Sequence, residues 1–349
     1  MTGRRSRFAR SAALAAVVAL ATPACVGGLF RSTPARERFL LEAPPPSADL
    51  VGKLEFHETS KEDTLIDLAP ALGVGYVELL AANPGVDPWL PGDDTRLVVP
   101  NARLLPSGPR EGIVVNLGDL HLYYFQKGQP VRAYPIGIAK DGYATPMGVT
   151  TVKAKREKPT WILGTSARRD HPELGAQVKP GPDNPLGEYA LYLGWPQYLI
   201  HGTNDPRGVG RHSSRGCIRL YPQDIAELYA LVEPGTSVRV VNEPVKLGWI
   251  AGELYLEVNP DADQSLELDE TGKYPAAGVP PGLRAQVTRA AGTAAASVDW
   301  AIVDSIGVRR FGIPSRVTRR AEPVVKPAAK PAAKPAAQPQ TSLPTARAR

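Results

Sequence analysis

The sequence predicts a mainly β protein in two parts. A strand-rich domain with one helix spans residues 112–243, and a small unit with the order strand, helix, helix, strand precedes it over residues 53–101. The 36 prolines and 33 glycines among 349 residues favour short strands and frequent turns. Within 112–243, short apolar runs alternate with turn residues, and a single stretch has helical spacing.

The first 24 residues have the order of a secretory signal peptide. Arginines between Arg4 and Arg10 precede an apolar run from Ser11 to Ala21, and small residues follow up to Ala24. The apolar run is far shorter than the roughly 20 residues that a membrane-spanning helix needs. We therefore expect export to the periplasm or cell envelope, with an uncleaved membrane anchor as the alternative.

Cys25 directly follows these small residues and could carry a lipid that tethers the protein to a membrane. The leucine typical of a lipoprotein processing site is missing before it, so cleavage and lipidation both stay open. Residues 25–52 are predicted to be a proline-rich linker. Cys217 is the other cysteine of the chain, and an exported protein that keeps one thiol needs a reason for it.

Residues 53–101 resemble a LysM domain. The residues that carry the resemblance are Glu62-Asp63-Thr64-Leu65, Leu68-Ala69, Asn83, Leu90-Pro91-Gly92 and Val98-Val99-Pro100. Glu62 stands where the family commonly has glycine. LysM domains bind peptidoglycan or chitin glycan, so the resemblance implies a wall-docking unit, and a small helical spacer without a ligand is the alternative.

The strand-rich domain contains one clear helix over Pro222–Leu231, which follows Cys217. Its predicted strands are 113–117, 121–125, 131–136, 150–154, 187–193, 198–200 and 238–241. Residues 244–313 are predicted to be a small C-terminal extension of unknown role. Residues 314–349, with their repeated Lys-Pro-Ala-Ala, are predicted to be a disordered, solvated basic tail.

The net charge of +6 does not indicate a nucleic-acid partner. The four arginines before Ala24 and the eight basic residues after position 314 account for more than this excess, so the folded part is mildly acidic. A nucleic-acid-binding domain would present a basic face. The sequence also lacks further His or Cys at metal-ligand spacing, so we expect no metal and no other cofactor.

The segment from His201 to Cys217 carries the chemistry. A free thiol is mostly protonated at neutral pH, and an adjacent imidazole makes the thiolate more available. His201 ends an apolar strand, which is a rigid platform for a base, whereas His212 lies in the loop before the cysteine. Gly216 lets the backbone approach a substrate closely, and a tight turn can aim N–H groups at an oxyanion. We predict Cys217 as nucleophile and His201 as its base.

The same residues resemble the L,D-transpeptidase (YkuD) catalytic domain over about 112–243. The motifs are His201-Gly202-Thr203, Ser214-x-Gly216-Cys217-Ile218-Arg219 and Asp224, with Thr145-Pro146-x-Gly148, Pro159-x-Trp161 and Asn184-Pro185-Leu186-Gly187 upstream. Glu243-Pro244-Val245-Lys246 and Gly248-Trp249 resemble the extension of the ErfK/YbiS-like branch. The resemblance implies a β-sandwich-like catalytic domain.

The resemblance also implies a reaction on peptidoglycan stem peptides. Cys217 would attack the L-centre carbonyl of the third residue of a tetrapeptide stem and expel D-alanine, and an amine of a second stem or of a wall lipoprotein would resolve the thioester. The Gly202 carbonyl would orient His201, Ser214 and Gly216 would shape the turn and its donors, and Arg219 would hold a substrate carboxylate. Carbapenems would acylate Cys217.

Several alternatives stay open at this stage. Cys217 could be a buried, inert thiol, and Arg219 could pair with Asp224. The protein could bind the wall without turnover, or it could be a cysteine hydrolase in which water resolves the same thioester. Transfer and hydrolysis differ in acceptor access and water exclusion, which the sequence does not reveal.

Overall fold

A computed structural model describes residues 47–274 and 277–319. The predicted signal peptide, Cys25, the linker up to residue 46 and the tail from residue 320 lie outside the described residues. The end of the predicted linker is an ordered strand. Leu50–Val51 (β1) pairs antiparallel with Arg103–Leu104 (β4), because Leu104 is fully buried and holds this edge in place.

The N-terminal unit has the predicted order of strand, helix, helix and strand. Its elements are β2 (Glu55–Glu58), α1 (Leu65–Leu72), α2 (Tyr76–Ala82) and β3 (Arg96–Val99). The Thr64 hydroxyl caps α1 by accepting from the Asp67 N–H, which is the usual role of threonine at this position. Strands β2 and β3 pair antiparallel and close the unit.

An eight-stranded sheet dominates the described part of the chain, with the order β15-β13-β12-β9-β16-β5-β6-β7. Its strands are β5 (Gly112–Asn116), β6 (His121–Phe125), β7 (Arg132–Pro135), β9 (Gly148–Glu157), β12 (Tyr189–Leu193), β13 (Leu199–His201), β15 (Ile218–Arg219) and β16 (Ser237–Val241). The mainly β prediction is confirmed. Short pairs lie beside the sheet: β8 (Ile138–Ala139) with β14 (His212–Ser214), and β10 (Trp161–Ile162) with β11 (Gln177–Val178).

Two further helices flank the strands of this domain. Helix α3 (Thr165–Asp170) lies between β10 and β11, and helix α4 (Pro222–Leu231) follows β15 as predicted. Ile225 and Leu228 of α4 are fully buried against the sheet. The same apolar core continues into the N-terminal unit, where it includes Leu65 and Leu79. The two parts therefore share one core.

The C-terminal extension is a layer with its own core. Its elements are β17 (Val245–Ile250), β18 (Glu253–Val258), α5 (Ala262–Thr271), α6 (Leu283–Ala291), α7 (Trp300–Arg309) and β19 (Ser315–Arg316). The predicted tail boundary at 314 is wrong for its first residues. Ser315–Arg316 pairs antiparallel with β18, and Val317 is fully buried, because this apolar position completes the core under α6 and α7.

Among residues 47–274 and 277–319, no single helix is both long and apolar enough to cross a membrane. Helices α1 and α2 meet the length and composition only when taken together, and they are bent by 107° at their junction.

Candidate active site

The segment from His201 to Arg219 forms one side of a cavity of about 840 Å³. His201, Cys217 and Arg219 all line it. The sheet brings them together: β13 and β15 are adjacent and parallel, with Ile200 opposite Ile218 and His201 opposite Arg219. His201 and Cys217, which lie 16 positions apart in the chain, therefore end up at one edge of the sheet.

Cys217 is a half-buried free thiol in the turn that leads into β15. Its Sγ lies 3.5 Å from the Gln197 carbonyl oxygen. Burial raises the pKa of the Cys217 thiol, while a backbone hydrogen bond at Leu199 and the positive charge of Arg219 lower it. Because burial has the largest effect, the net shift raises the pKa and favours the protonated thiol at neutral pH.

The turn before the nucleophile is held by Ser214 and Gly216. The Ser214 hydroxyl donates to the Cys217 carbonyl oxygen at 2.6 Å and accepts from the Gly216 N–H at 3.0 Å. The φ of Gly216 is +118°, and a Cβ there would lie 2.8 Å from the Tyr198 ring and 2.9 Å from the Ala144 carbonyl oxygen. Only glycine fits this position.

The Gly216 N–H is used inside the turn and is not available to a substrate oxyanion. The Cys217 N–H, by contrast, has no hydrogen-bond partner among the described residues. Thr145 adds a further anchor, since its hydroxyl donates to the Gly216 carbonyl oxygen at 3.0 Å. The turn is thus fixed from both sides and leaves one backbone donor next to the sulfur.

His201 is 3% exposed and ends β13. Its Nδ1 donates to the Gly202 carbonyl oxygen at 2.6 Å, because a carbonyl can only accept. The neutral ring therefore carries its lone pair on Nε2. Burial, followed by the charge of Arg219, lowers the pKa of His201 to about 3. The ring is a neutral base at physiological pH.

Arg219 combines burial with an unused donor. Its Nη1 lies 3.5 Å from the Ser213 hydroxyl, while its Nε is buried without a hydrogen-bond partner among the described atoms. No ion pair joins Arg219 to Asp224 in the described part of the chain, and the negative charges that raise the pKa of Arg219 are those of Asp205 and Cys217. A guanidinium that lines a cavity is suited to bind a carboxylate.

His212 does not belong to this cavity. The sequence places it in a flexible loop, but it begins the short strand β14 beside Ile138, and its Nδ1 lies 3.2 Å from the Ala139 carbonyl oxygen. It lines a separate cavity of about 360 Å³ near α5. The preference for His201 is consistent with this geometry.

Sequence reasoning missed part of the wall of the cavity that Cys217 lines. Trp161, Leu163, Ala167 and His171 line the cavity from β10, α3 and the residue after α3. Asp170 at the end of α3 accepts from Arg215 Nη2 at 2.8 Å and Nε at 3.3 Å. This contact ties the wall to the turn before Cys217. Trp161 alone had a sequence signal, as part of the Pro159-x-Trp161 motif.

The described residues contain no cluster of three or more His, Cys, Asp or Glu that could hold a metal ion. A protonated thiol, a neutral imidazole, a free backbone N–H and a guanidinium line a partly apolar cavity. This set is suited to transfer an acyl group from an amide through a thioester.

Comparisons with known proteins agree with this chemistry. A family model described as the L,D-transpeptidase catalytic domain (YkuD) matches residues 110–240. "Probable L,D-transpeptidase YcfS" of Escherichia coli is 41% identical over 254 residues, which cover 70% of this chain and 76% of the relative. "Probable L,D-transpeptidase ErfK/SrfK" of Salmonella typhimurium is 37% identical over 284 residues, covering 79% of this chain and 90% of the relative.

A solved structure gives a more local match. It is the NMR structure of the catalytic domain of an E. faecium L,D-transpeptidase acylated by ertapenem, which is 26% identical. The match covers 38% of this chain and 99% of that one, with a TM-score of 0.30. The family assignment rests on the sequence relatives.

Proposed function

Starting from the fact that the chain belongs to the L,D-transpeptidase family, we propose that Cys217 and His201 carry out its acyl transfer on peptidoglycan stem peptides. The observation that supports these roles most directly is the parallel pairing of β13 with β15. It sets His201 opposite Arg219, two residues after Cys217, on the wall of one cavity.

In the first half-reaction, His201 Nε2 accepts the thiol proton as Cys217 Sγ attacks the carbonyl of the L-centre of the third stem residue. The S–C bond forms, the negative charge moves to the carbonyl oxygen, and the Cys217 N–H stabilises it. When the intermediate collapses, the C–N bond to the terminal D-alanine breaks. The imidazolium returns its proton to the leaving amine, which leaves a thioester on Cys217.

In the second half-reaction, an acceptor amine attacks the thioester. His201 Nε2 takes the proton of the amine and the new C–N bond forms. The C–S bond then breaks, and the imidazolium returns the proton to Sγ, which regenerates the thiol. Gly202 keeps His201 in the tautomer that both steps need. Arg219, which lines the cavity, binds a stem carboxylate through its guanidinium, and Ser214 and Gly216 hold the turn that presents the donor.

The acceptor is the side-chain amine of a second stem, which gives a 3→3 crosslink, or the amine of a wall-anchored lipoprotein. The unit over residues 53–101 binds the glycan strand, as its LysM resemblance implies. Residues 1–24 direct export to the periplasm or cell envelope, with a membrane tether through Cys25 if that residue is lipidated.

The products of purified disaccharide tetrapeptide test this function by mass. We expect a crosslinked dimer, none from Cys217→Ala, and a meropenem adduct on the wild-type peptide that carries Cys217. A tripeptide without dimer would identify a hydrolase, because water then resolves the thioester. If the wild type gave no adduct and no product but still bound the wall, the protein would be a wall-binding protein without catalytic activity.

A further inference from the structure

The turn between helices α1 and α2 of the N-terminal unit contacts both ends of the segment that surrounds the nucleophile. Its residues Val74 and Gly75 face Gly210, which lies between His201 and Cys217, and Tyr221, which lies four residues after Cys217. A unit that only tethers the enzyme to the wall would not need such contacts.

Gly75 and Gly210 pack backbone against backbone. A Cβ on Gly210 would lie 2.2 Å from Gly75 Cα and 2.5 Å from the Tyr76 nitrogen, and a Cβ on Gly75 would lie 2.8 Å from Gly210 Cα. The Val77 N–H donates to the Gly210 carbonyl oxygen at 3.2 Å. The φ of Gly210 is +72°, so this position needs glycine for its conformation as well as for space.

The loop at Gly210 also bonds to the segment that follows β7 of the main sheet. Its N–H donates to the Ile136 carbonyl oxygen at 3.1 Å, and the Arg211 carbonyl accepts from the Ile138 N–H at 3.0 Å. The loop before Cys217 is therefore held between the sheet on one side and the N-terminal unit on the other. A shift of the unit would move the loop.

The second contact lies on the far side of the nucleophile. The Tyr221 hydroxyl donates to the Val74 carbonyl oxygen at 2.8 Å, and the Tyr221 side chain is 1% exposed. Tyr221 immediately precedes helix α4 and lies two residues after Arg219. A buried hydroxyl bonded to a buried carbonyl fixes this point, since losing one partner leaves the other unsatisfied.

The core beneath these contacts is continuous. Val74 is fully buried in the same apolar cluster as Ile200 and Ile218, which directly adjoin His201 and Cys217 in the chain. On the solvent side, Arg207 of the loop makes two hydrogen bonds to Asp67 of α1, at 2.7 and 3.0 Å. These atoms are exposed, so we assign the positioning to the buried contacts.

From these contacts we propose that the N-terminal unit is a working part of the catalytic centre, in which Gly75, Gly210 and Tyr221 position the loop that holds Cys217 against His201. They are positioning residues, because none of them lines the cavity of about 840 Å³. The proposal rests on the proposed roles of Cys217 and His201.

The test compares Tyr221→Phe and Gly210→Ala in the full chain with two matched controls. Gly128→Ala introduces the same alanine at a positive φ of +74° where the added Cβ meets nothing. Tyr274→Phe removes a hydroxyl that donates to the Arg310 carbonyl oxygen at 3.0 Å, and Tyr274 does not line the cavity of about 840 Å³. Meropenem acylation gives the rate at saturation and the half-saturating concentration, and iodoacetamide alkylation of the Cys217 peptide gives a pH profile.

We expect Tyr221→Phe and Gly210→Ala to lower the saturating acylation rate by about 10–100-fold with little change in half-saturation, because a small misplacement of reacting groups has effects of this size. The alkylation profile should shift along pH in both, while the controls match the wild type. Tyr221→Phe carries the test alone if Gly210→Ala does not fold. Folded variants with wild-type rates and profiles would overturn the proposal.

The alkylation profile separates this proposal from the proposed function. If the wild type shows no acylation and His201→Ala changes nothing, the proposed function fails. Even then, a shifted alkylation profile in Tyr221→Phe would show that the N-terminal unit positions the loop around the Cys217 thiol. An unshifted profile would overturn the positioning role as well.

Discussion

The Nδ1 atom of His201 donates a 2.6 Å hydrogen bond to the carbonyl oxygen of Gly202, the next residue in the chain. Since the acceptor is a backbone carbonyl, the orientation of the ring does not depend on the side chain of another residue. The position is also sterically restricted, because a Cβ on Gly202 would lie 3.0 Å from a methyl carbon of Ile225 in α4. The His201 ring is thus oriented by the strand end itself.

Removing this base tests its assignment. We expect His201→Ala to lower the rate of meropenem acylation by about 10²–10⁴-fold, which is the usual contribution of a positioned general base. His212→Ala serves as the matched control, because His212 lines the other cavity, and should acylate like the wild type. An active His201→Ala protein beside an inactive His212→Ala protein would reverse the assignment.

The pKa of the Cys217 thiol can be probed through Arg219. Burial raises this pKa and the charge of Arg219 lowers it, so Arg219→Gln should raise it further. The pH at which iodoacetamide alkylation of the Cys217 peptide is half-maximal should then move upward. Lys127→Gln, on the exposed hairpin between β6 and β7, removes a distant positive charge as a control. An unchanged midpoint in Arg219→Gln would show that the guanidinium does not act on the sulfur.

The wall around α3 should open more easily without Asp170. Asp170 and Arg215 are partly exposed, with side-chain exposures of 31% and 24%, and such pairs contribute about 0.2–1 kcal/mol. We expect Asp170→Asn to speed the reaction of Cys217 with a bulky disulfide reagent by about 1.4–5-fold at low salt, the factor that this energy range corresponds to. High salt should narrow the difference. Glu173→Gln, an exposed change in the same segment, is the control. Equal rates in both variants would show that the Asp170–Arg215 pair does not hold the wall closed.

A buried ionic cluster joins three segments of the chain. Lys246 of β17 is 1% exposed in its side chain and contacts Asp119 at 2.5 Å and Glu257 at 2.8 Å. It also donates to the Leu104 carbonyl oxygen at 2.8 Å, which lies in β4. The cluster links the strand after the N-terminal unit, the main sheet and the C-terminal extension.

Lys246→Met should destabilise the protein by about 3–5 kcal/mol, because it leaves two buried carboxylates without their cation. Urea unfolding measures the loss. The triple variant Lys246→Met, Asp119→Asn, Glu257→Gln should recover much of it, since neutral amides carry no unpaired charge. If the single and triple variants were equally unstable, the loss would come from packing and not from charge.

The proposed reacting groups could be named as candidates from the sequence because they lie in one contiguous segment. His201 ends an apolar strand, and Gly216-Cys217 precedes another, so local patterns carried their roles. The Asp170–Arg215 contact joins positions 45 residues apart. Exposed charges carry no periodic pattern, and this pair had no signal in the sequence.

The C-terminal extension and the shared core were harder to predict for a different reason. Lys246 lies between Val245 and Leu247, and strand alternation places such a lysine on a solvent face. Here the face of β17 that carries Lys246 is covered by the strand of Leu104, so the charge is buried. Likewise Val74 and Leu79 fit a small independent unit equally well. Only the fold reveals that they complete the core of the main sheet.

Asp224 provides a pH test of stability. It lies in the first turn of α4, and burial, followed by the charge of Glu227, raises its pKa from 3.8 to about 7. Because this folded-state pKa lies above the unfolded value, Asp224 stabilises the fold in its protonated form. This contribution to the free energy of unfolding is fully present below about pH 3.8 and is lost as pH rises to about 7.

Asp224→Asn removes this titration and should therefore flatten that loss. We expect the difference in free energy of unfolding, variant minus wild type, to increase with pH within this window by up to about 1.4 kcal/mol per pH unit. Outside it, the difference should be constant. Urea unfolding at a series of pH values measures the gap, with Glu227→Gln as a control that should reduce the slope only slightly because its charge is the smaller cause. A gap that stays constant from acid to neutral pH would mean that folding does not shift the pKa of Asp224, and that α4 begins with a solvated carboxylate.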